Sequence, residues 1–245
     1  MQVTCFDYCI TGEEMKKIEL FTFTYNDQDF LPFFLDHYSF VDRMTFIDSG
    51  STDRTLQIIH RFATPGHPVI RVTQTGLQTW DHAAGHIIRN EIWKGSTYDL
   101  VIFPDLDEIF YHPQMIKFLN RKMASDVYEM EGFEMVAPSM PPMGRSILNI
   151  RTGVKFNTYN KSTIFNPQIN ICFPNAHLRC TMNTNISVGE IKLLHYRNMG
   201  IKMMTWRSER ERLRLPKNCK YRTPLTQVEI RQRYEGLRNQ AINVI

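Results

Sequence analysis

Leu100-Val101-Ile102-Phe103-Pro104-Asp105-Leu106-Asp107-Glu108 decides the reading of the fold, because an apolar strand runs straight into three carboxylates. A buried strand that ends in charge fits the carboxyl edge of an open α/β sheet, where ligands bind. Strand alternation aims Asp105 and Asp107 the same way, so both reach one point. Two convergent carboxylates suit a hard divalent cation, Mg²⁺ or Mn²⁺, with positions left open for diphosphate oxygens.

Strand and helix signals alternate upstream. Lys17–Tyr25 is apolar and β-branched or aromatic and reads as a buried strand. Asp29–Phe40 has helical spacing, with Pro32 near its start where proline is tolerated. Met44–Ile47 is a short strand broken by Asp48-Ser49-Gly50, and Ser51-Thr52-Asp53 offer N-cap chemistry for a helix to Phe62. Pro65-Gly66-His67-Pro68 turns the chain into a third strand, Val69–Val72. Asp81–Trp93 reads as a helix and Leu100–Phe103 as the fourth strand. This βαβαβαβ order implies a mainly parallel sheet with helices on both faces. The run Asp48 to Thr55 follows the second strand, hence lies on the same sheet edge. Its carboxylates and hydroxyls suit hydrogen bonds to a base or ribose as well as a helix cap.

Downstream the pattern changes. Pro113–Lys122 reads as a helix, Asp126–Val136 as a strand and Pro138–Pro142 as a loop. Residues 150–195 suggest short strands and long loops. Gly200–Leu215 and Thr226–Asn239 read as two basic helices separated by Pro216 and Pro224. The expected division is a catalytic body over residues 1–196 and a basic helical extension over 197–245.

At 245 residues, 42% hydrophobic and 22% charged, the chain is long enough for a real core and is neither disordered nor collagen-like. No apolar run reaches the ~20 residues of a membrane span. The first 17 residues lack the pattern of a secretory signal. The five cysteines, Cys5, Cys9, Cys172, Cys180 and Cys219, form no CxxC pair, so a reducing cytoplasm is the expected setting. The net charge of +4 is unevenly divided: from Tyr196 to Ile245 there are 12 Lys/Arg against 4 Asp/Glu, over a slightly acidic body. Arg207, Arg210 and Arg214 share a helix face, alongside Arg212. That face is either solvated or meets a donor diphosphate, a partner subunit, or an anionic membrane as a peripheral contact. Nucleic acid is not expected, because exposed aromatics do not interleave with the basic residues. Nothing in the sequence fixes an oligomeric state.

These residues together resemble the GT-A fold glycosyltransferases of family 2, in the subgroup that carries a D-x-D-E motif. The resemblance rests on Thr24-Tyr25-Asn26-Asp27, Leu31-Pro32, Asp48 to Thr55, Arg89-Asn90 and Pro104 to Glu108. It continues through Gly132-Phe133-Glu134-Met135, Asn160-Lys161-Ser162, Phe165-Asn166-Pro167, Ala176-His177 and Leu193-Leu194-His195-Tyr196, and so covers Leu20 to Trp206. Asp27 stands where Glu is common, and Ser49 where Asp or Asn is.

The resemblance implies inverting transfer of a sugar from a nucleotide diphosphate sugar, by habit a UDP-sugar, to a hydroxyl of a glycan or glycoconjugate. It places Thr24, Tyr25 and Asn26 beside the base, Asp48 and Asp53 on base or ribose, and Arg89 and Asn90 on the nucleotide side. It makes Asp105 and Asp107 the metal pair, with Asp107 coordinating directly and His195, then His177, completing the shell of Mn²⁺ or Mg²⁺. The general base is expected to be Glu134, with Glu108 and Glu131 as alternatives. Trp80, Trp93 and Trp206 are candidates to stack on a sugar, against a plain core role. His82 and His86 form HAAGH, without the glutamate of a zinc protease.

Two other classes compete. A sugar nucleotidyltransferase would carry a glycine-rich loop with a basic residue after the first strand, and Phe21 to Phe30 hold none. A non-catalytic nucleotide-sugar-binding module would have little reason to keep Asp105, Asp107 and Glu108.

Overall fold

Apolar runs and turn residues set the first hundred residues into the expected alternation. In the computed structural model, residues 15–77, 81–121, 126–169, 171–174, 180–181, 185–214 and 223–245 are described. Cys5, Cys9, Trp80, His177, Pro216 and Cys219 lie outside them. The first half runs Ile18–Thr24 (β1), Leu31–His37 (α1), Arg43–Asp48 (β2), Thr55–Phe62 (α2), Val69–Gln74 (β3), His82–Glu91 (α3) and Leu100–Ile102 (β4). β4, β1, β2 and β3 lie side by side and parallel.

Period-two alternation decides which face each strand residue joins. Ile18, Leu20, Met44, Phe46, Leu100 and Ile102 pack with Phe34 and Leu35 of α1 and Ile59 of α2. Phe21, Ile47, Val101 and Phe103 point the other way, toward Ile88 of α3 and Trp93. The sheet is thus covered on both faces, as a parallel sheet requires. Trp93 belongs to this second core.

Two helix starts show local chemistry at work. Asp81 caps α3, its side chain accepting from the N–H groups of Ala83 and Ala84. Asp53, one residue before the cap position, supplies the side-chain acceptor at the start of α2. The cap position is Arg54, which makes no side-chain cap bond. Asp53 accepts from the Thr55 N–H at 2.8 Å and the Gln28 N–H at 3.2 Å.

The second half continues through Glu108–Tyr111 (β5), Met115–Asn120 (α4), Val127–Ala137 (β6), Thr152–Lys155 (β7), Ile164–Phe165 (β8), Ile171–Cys172 (β9), Cys180–Thr181 (β10) and Ile186–Met199 (β11). It ends with Gly200–Arg214 (α5), Gln227–Gln240 (α6) and Ile242–Asn243 (β12). The sheet extends in the order β12-β7-β6-β8-β4-β1-β2-β3, with β11 pairing both β5 and β6. Short strands alone are expected over residues 150–195, yet β11 is 14 residues long. Its length comes from parallel pairing with β6 and antiparallel pairing with β5, neither visible from local pattern.

The C-terminal helices form as expected. α6 opens on a capping box between Thr226 and Glu229. Its Ile230 and Tyr234 pack against Val136 and Met204. The 196/197 division falls inside β11, and β12 joins β7 at the sheet edge. Gly200, the first residue of α5 and directly after β11, has φ +70° and lies against the Pro138 carbonyl. Among the described residues, no helix is long and apolar enough to cross a membrane.

Candidate active site

The carboxyl edge of β1 and β2 is a pair of loops laced to each other. Asn26 takes a left-handed backbone, φ 52°. Its side-chain oxygen accepts from the N–H groups of Thr52 at 2.7 Å and Asp53 at 3.2 Å. Its own N–H donates to Ser51 Oγ at 3.0 Å. Asp27 accepts from Thr24 Oγ1 and the Tyr25 N–H through Oδ2. Asp48 is fully buried and accepts from the N–H groups of Gly50 and Ser51 and the Ser51 hydroxyl. Asp48 therefore shapes the loop, and in this arrangement offers no surface to a ligand.

The acidic motif follows β4 as a turn closed by the Glu108 N–H on the Asp105 carbonyl at 2.9 Å. This turn, and not strand alternation, brings Asp105 and Asp107 to one side, because β4 already stops at Ile102. Asp105 Oδ1 meets Arg89 at 2.7 Å, and Oδ2 meets the Lys161 ammonium at 2.6 Å. Lys161 also reaches Glu108 Oε1 at 2.6 Å, while Glu108 Oε2 accepts from the Asp105 N–H. Asp107 Oδ2 is bonded by Arg207 and lies 3.4 Å from His195 Nε2. His195 Nδ1 meets Glu134 Oε2 at 2.9 Å, and Tyr159 packs on the imidazole at 4.2 Å between centroids.

The result is a buried lattice of alternating charge. Burial would raise Asp105, but Lys161 and Arg89 hold it below its ordinary value. Asp107 is held well below by His195 and Arg207 against the same burial. Glu108 is pushed up by burial despite Lys161. Burial would lower His195, but Glu134 and Asp107 outweigh it and lift the imidazole to about 10. The two carboxylates at its ring nitrogens thus favour the imidazolium form of His195, which donates at both.

This has a consequence for stability. The folded pKa of His195 lies above its ordinary 6.5, so its contribution is complete below pH 6.5 and is lost as pH rises toward about 10. Across that window the chain is expected to lose up to about 1.4 kcal/mol per pH unit from this group. Urea midpoints at pH 6 and pH 9 measure it, and His195→Gln should flatten the slope. A wild-type chain equally stable at both values would refute the pairing.

α5 lies over this edge. Arg210 donates through Nη1 to the carbonyls of Tyr25 and Asn26, both at 3.0 Å, and to Asp27 Oδ1 at 2.6 Å. Of the expected face of Arg207, Arg210 and Arg214, the first two point inward, and the Arg214 side chain lies outside the described residues. Arg207 is only 6% exposed.

Between these parts lies a cavity of about 300 Å³. Tyr25, Asp27, Arg89, Asp105, Asp107, His195, Arg197, Arg207 and Arg210 line it, with His82 and His86 from α3. Burial and Arg89 lower His86. A second cavity of about 260 Å³ is lined by Asn26, Gln28, Asp53, Trp206, Glu209 and Arg210, so Arg210 serves both. The Arg210 guanidinium sits 4.8 Å from the Trp206 ring centroid.

Other expected residues stand elsewhere. Thr24 is buried under the first loop. Asn90 stitches α3 to Phe173 through 2.7 and 2.8 Å bonds. Glu134 stands behind His195, Glu108 is buried on Lys161, and Glu131 pairs with Lys155, so none of these three lines the cavity. Sequence reasoning gave no role to Lys161, Asp27 or Arg197. A lysine at the start of a buried run, Lys161 to Phe165, was the available signal for the first.

Asp105, Asp107 and His195 all line the one cavity. Their donor set nevertheless does not fit a divalent ion. Both Asp105 oxygens are bonded to cations, and Asp107 Oδ2 is bonded by Arg207. Among the described residues, no group of three or more His, Cys, Asp or Glu is arranged to hold a metal ion. An ion at this point would have to displace Arg89, Lys161 or Arg207 from the carboxylates they pair with.

Neither a family model nor a curated protein sequence matches the chain. Among solved structures it is similar to S. aureus TarS 1-349, at 20% identity and a TM-score of 0.48, over 89% of this chain and 69% of that one. The same TarS fragment in complex with UDP gives 20% and 0.47 over the same shares. Against the longer S. aureus TarS the values are 18% and 0.49, and this chain spans 43% of that one. Glucosyl-3-phosphoglycerate synthase from Mycobacterium tuberculosis, in complex with Mn²⁺, UDP and glucosyl-3-phosphoglycerate, is similar at 19% identity and a TM-score of 0.34, over 49% of this chain and 44% of that one.

Proposed function

We propose that the chain is a glycosyltransferase that moves a sugar from a nucleotide diphosphate donor, in the first instance a UDP-sugar, to a hydroxyl of a glycan or glycoconjugate. One observation carries this reading. Two cavities joined by Arg210 lie at the carboxyl edge of a parallel sheet, and the larger sets carboxylates against guanidinium groups. Arginines suit a departing diphosphate, because negative charge develops there in the transition state. The second cavity, with Trp206, Asn26 and Asp53, suits a nucleoside: an aromatic face beside amide and carboxylate edges.

The acceptor proton needs a carboxylate at the cavity. Asp107 and Asp105 meet that requirement of position. Glu134 acts through His195, which keeps Asp107 oriented. The loop between β1 and α1 contains no glycine, which disfavours nucleotidyl transfer.

Thermal shift against UDP-, GDP- and dTDP-sugars, followed by a donor-hydrolysis assay on any hit, tests the reading. A ligand at a hundredfold its Kd stabilises by about 2.7 kcal/mol. For a chain of this size that is a rise in Tm of roughly 5–10 °C. Failure of every donor to shift a folded chain would sink the proposal. Pyrophosphate release from a nucleoside triphosphate would favour the nucleotidyltransferase instead.

A further inference from the structure

The resemblance led to a metal, and the side chains around Asp105 and Asp107 lead elsewhere. We propose that the charge of a bound diphosphate is met by the chain's own cations, chiefly Arg207 and Arg210 of α5 with Arg89 of α3, and not through a bridging divalent ion. The inference rests on the nucleotide-sugar reading and deepens it.

Three observations support it. First, the carboxylates that would coordinate an ion are already matched with cations: Asp105 with Arg89 and Lys161, Asp107 with Arg207, and Asp27 with Arg210. A divalent ion drawn to them would stand among like charges at close range. Second, Arg210 makes all three of its hydrogen bonds through Nη1. Its Nε and Nη2 make no further hydrogen bond among the described residues, and a guanidinium fork held on one side is set to bind phosphate oxygens with the other. Third, these cations come from two separate helices that both line the cavity, α3 and α5. A diphosphate between them would be gripped by both.

Bidentate Arg–phosphate bonds favour the exchange, because a diphosphate offers more charge and more oxygens than the carboxylate it replaces. Arg207 can lean from Asp107 to the ligand, leaving Asp107 to His195. Donor entry and release of the Asp107 carboxylate toward the acceptor then become one event.

Titration calorimetry of the full chain with UDP, GDP and inorganic pyrophosphate, each in EDTA and again in Mn²⁺, tests this. The expected result is binding in EDTA with a Kd within about threefold of that in Mn²⁺, under 1 kcal/mol apart. Arg210→Gln should weaken it about tenfold or more in both buffers, the scale of a charge-assisted hydrogen bond. Binding that requires Mn²⁺ would overturn the inference and leave the nucleotide-sugar reading standing. Unchanged affinity in folded Arg210→Gln would also overturn it. No binding of any probe in either buffer would overturn both.

Discussion

Replacing Lys161 by Met should remove about 3–5 kcal/mol of stability, enough to unfold much of the population of a marginal domain. The Lys161 side chain is 2% exposed and Glu108 only 1%, so water cannot take over the lost charge. Lys161 is the shared partner of Asp105 and Glu108. Without it, two neighbouring carboxylates face each other with Arg89 as the remaining cation on Asp105. Glu108, already pushed up by burial, would have to bind a proton. The deficit should therefore shrink in acid and grow above neutral pH. Urea unfolding from pH 5 to pH 8 measures this. The pair Lys161→Met with Glu108→Gln should recover part of the loss, since it removes the orphaned charge. A single variant as stable as wild type at pH 8 would show that the lattice contributes little.

Gly200→Ala should cost about 3 kcal/mol or more. A side chain at φ +70° is strained by roughly 1–3 kcal/mol before any contact is considered. Here the added Cβ also overlaps the Pro138 carbonyl, which is backbone and cannot rotate away. Either β11 or the end of β6 must move, and α5 moves with it. Because α5 carries Arg207 and Arg210, nucleotide binding should fall together with stability. Gly236, inside α6, is the contrast: a Cβ added there would meet nothing within 4 Å. Gly236→Ala should stabilise by roughly 0.5–1 kcal/mol, as usual within a helix. Equal effects from the two substitutions would remove the case for a backbone overlap at Gly200.

The parallel half of the fold was legible because its signals are local. Asp81 and the apolar runs of β1, β2 and β4 announce helix and strand within a few residues. β5 and the length of β11 were not legible. Glu108 to Tyr111 is a short run directly after two acids, and the first residues of β11 are mostly exposed. Only long-range pairing makes either a strand. The site divided in the same way. Asp105 and Asp107 stood out by position after an apolar strand. Their partners did not, because Lys161 meets Asp105 across 56 residues and Arg207 meets Asp107 across 100. Glu134 could be singled out from its block, but motif order could not say that His195 stands between it and the cavity.

Those same separations order events during synthesis. Chains grow from the N-terminus, and Asp105, Asp107 and Glu108 emerge long before Lys161, His195 and Arg207. Until then Arg89 is the one cation of the parallel half that pairs with this acidic cluster among the described residues, and contacts of such high sequence separation form slowly. The carboxyl edge of the sheet is thus the last part of the chain to become neutral. The core under the four parallel strands also waits on later residues, since Tyr128, Met130, Ile164, Leu193 and Leu194 complete it.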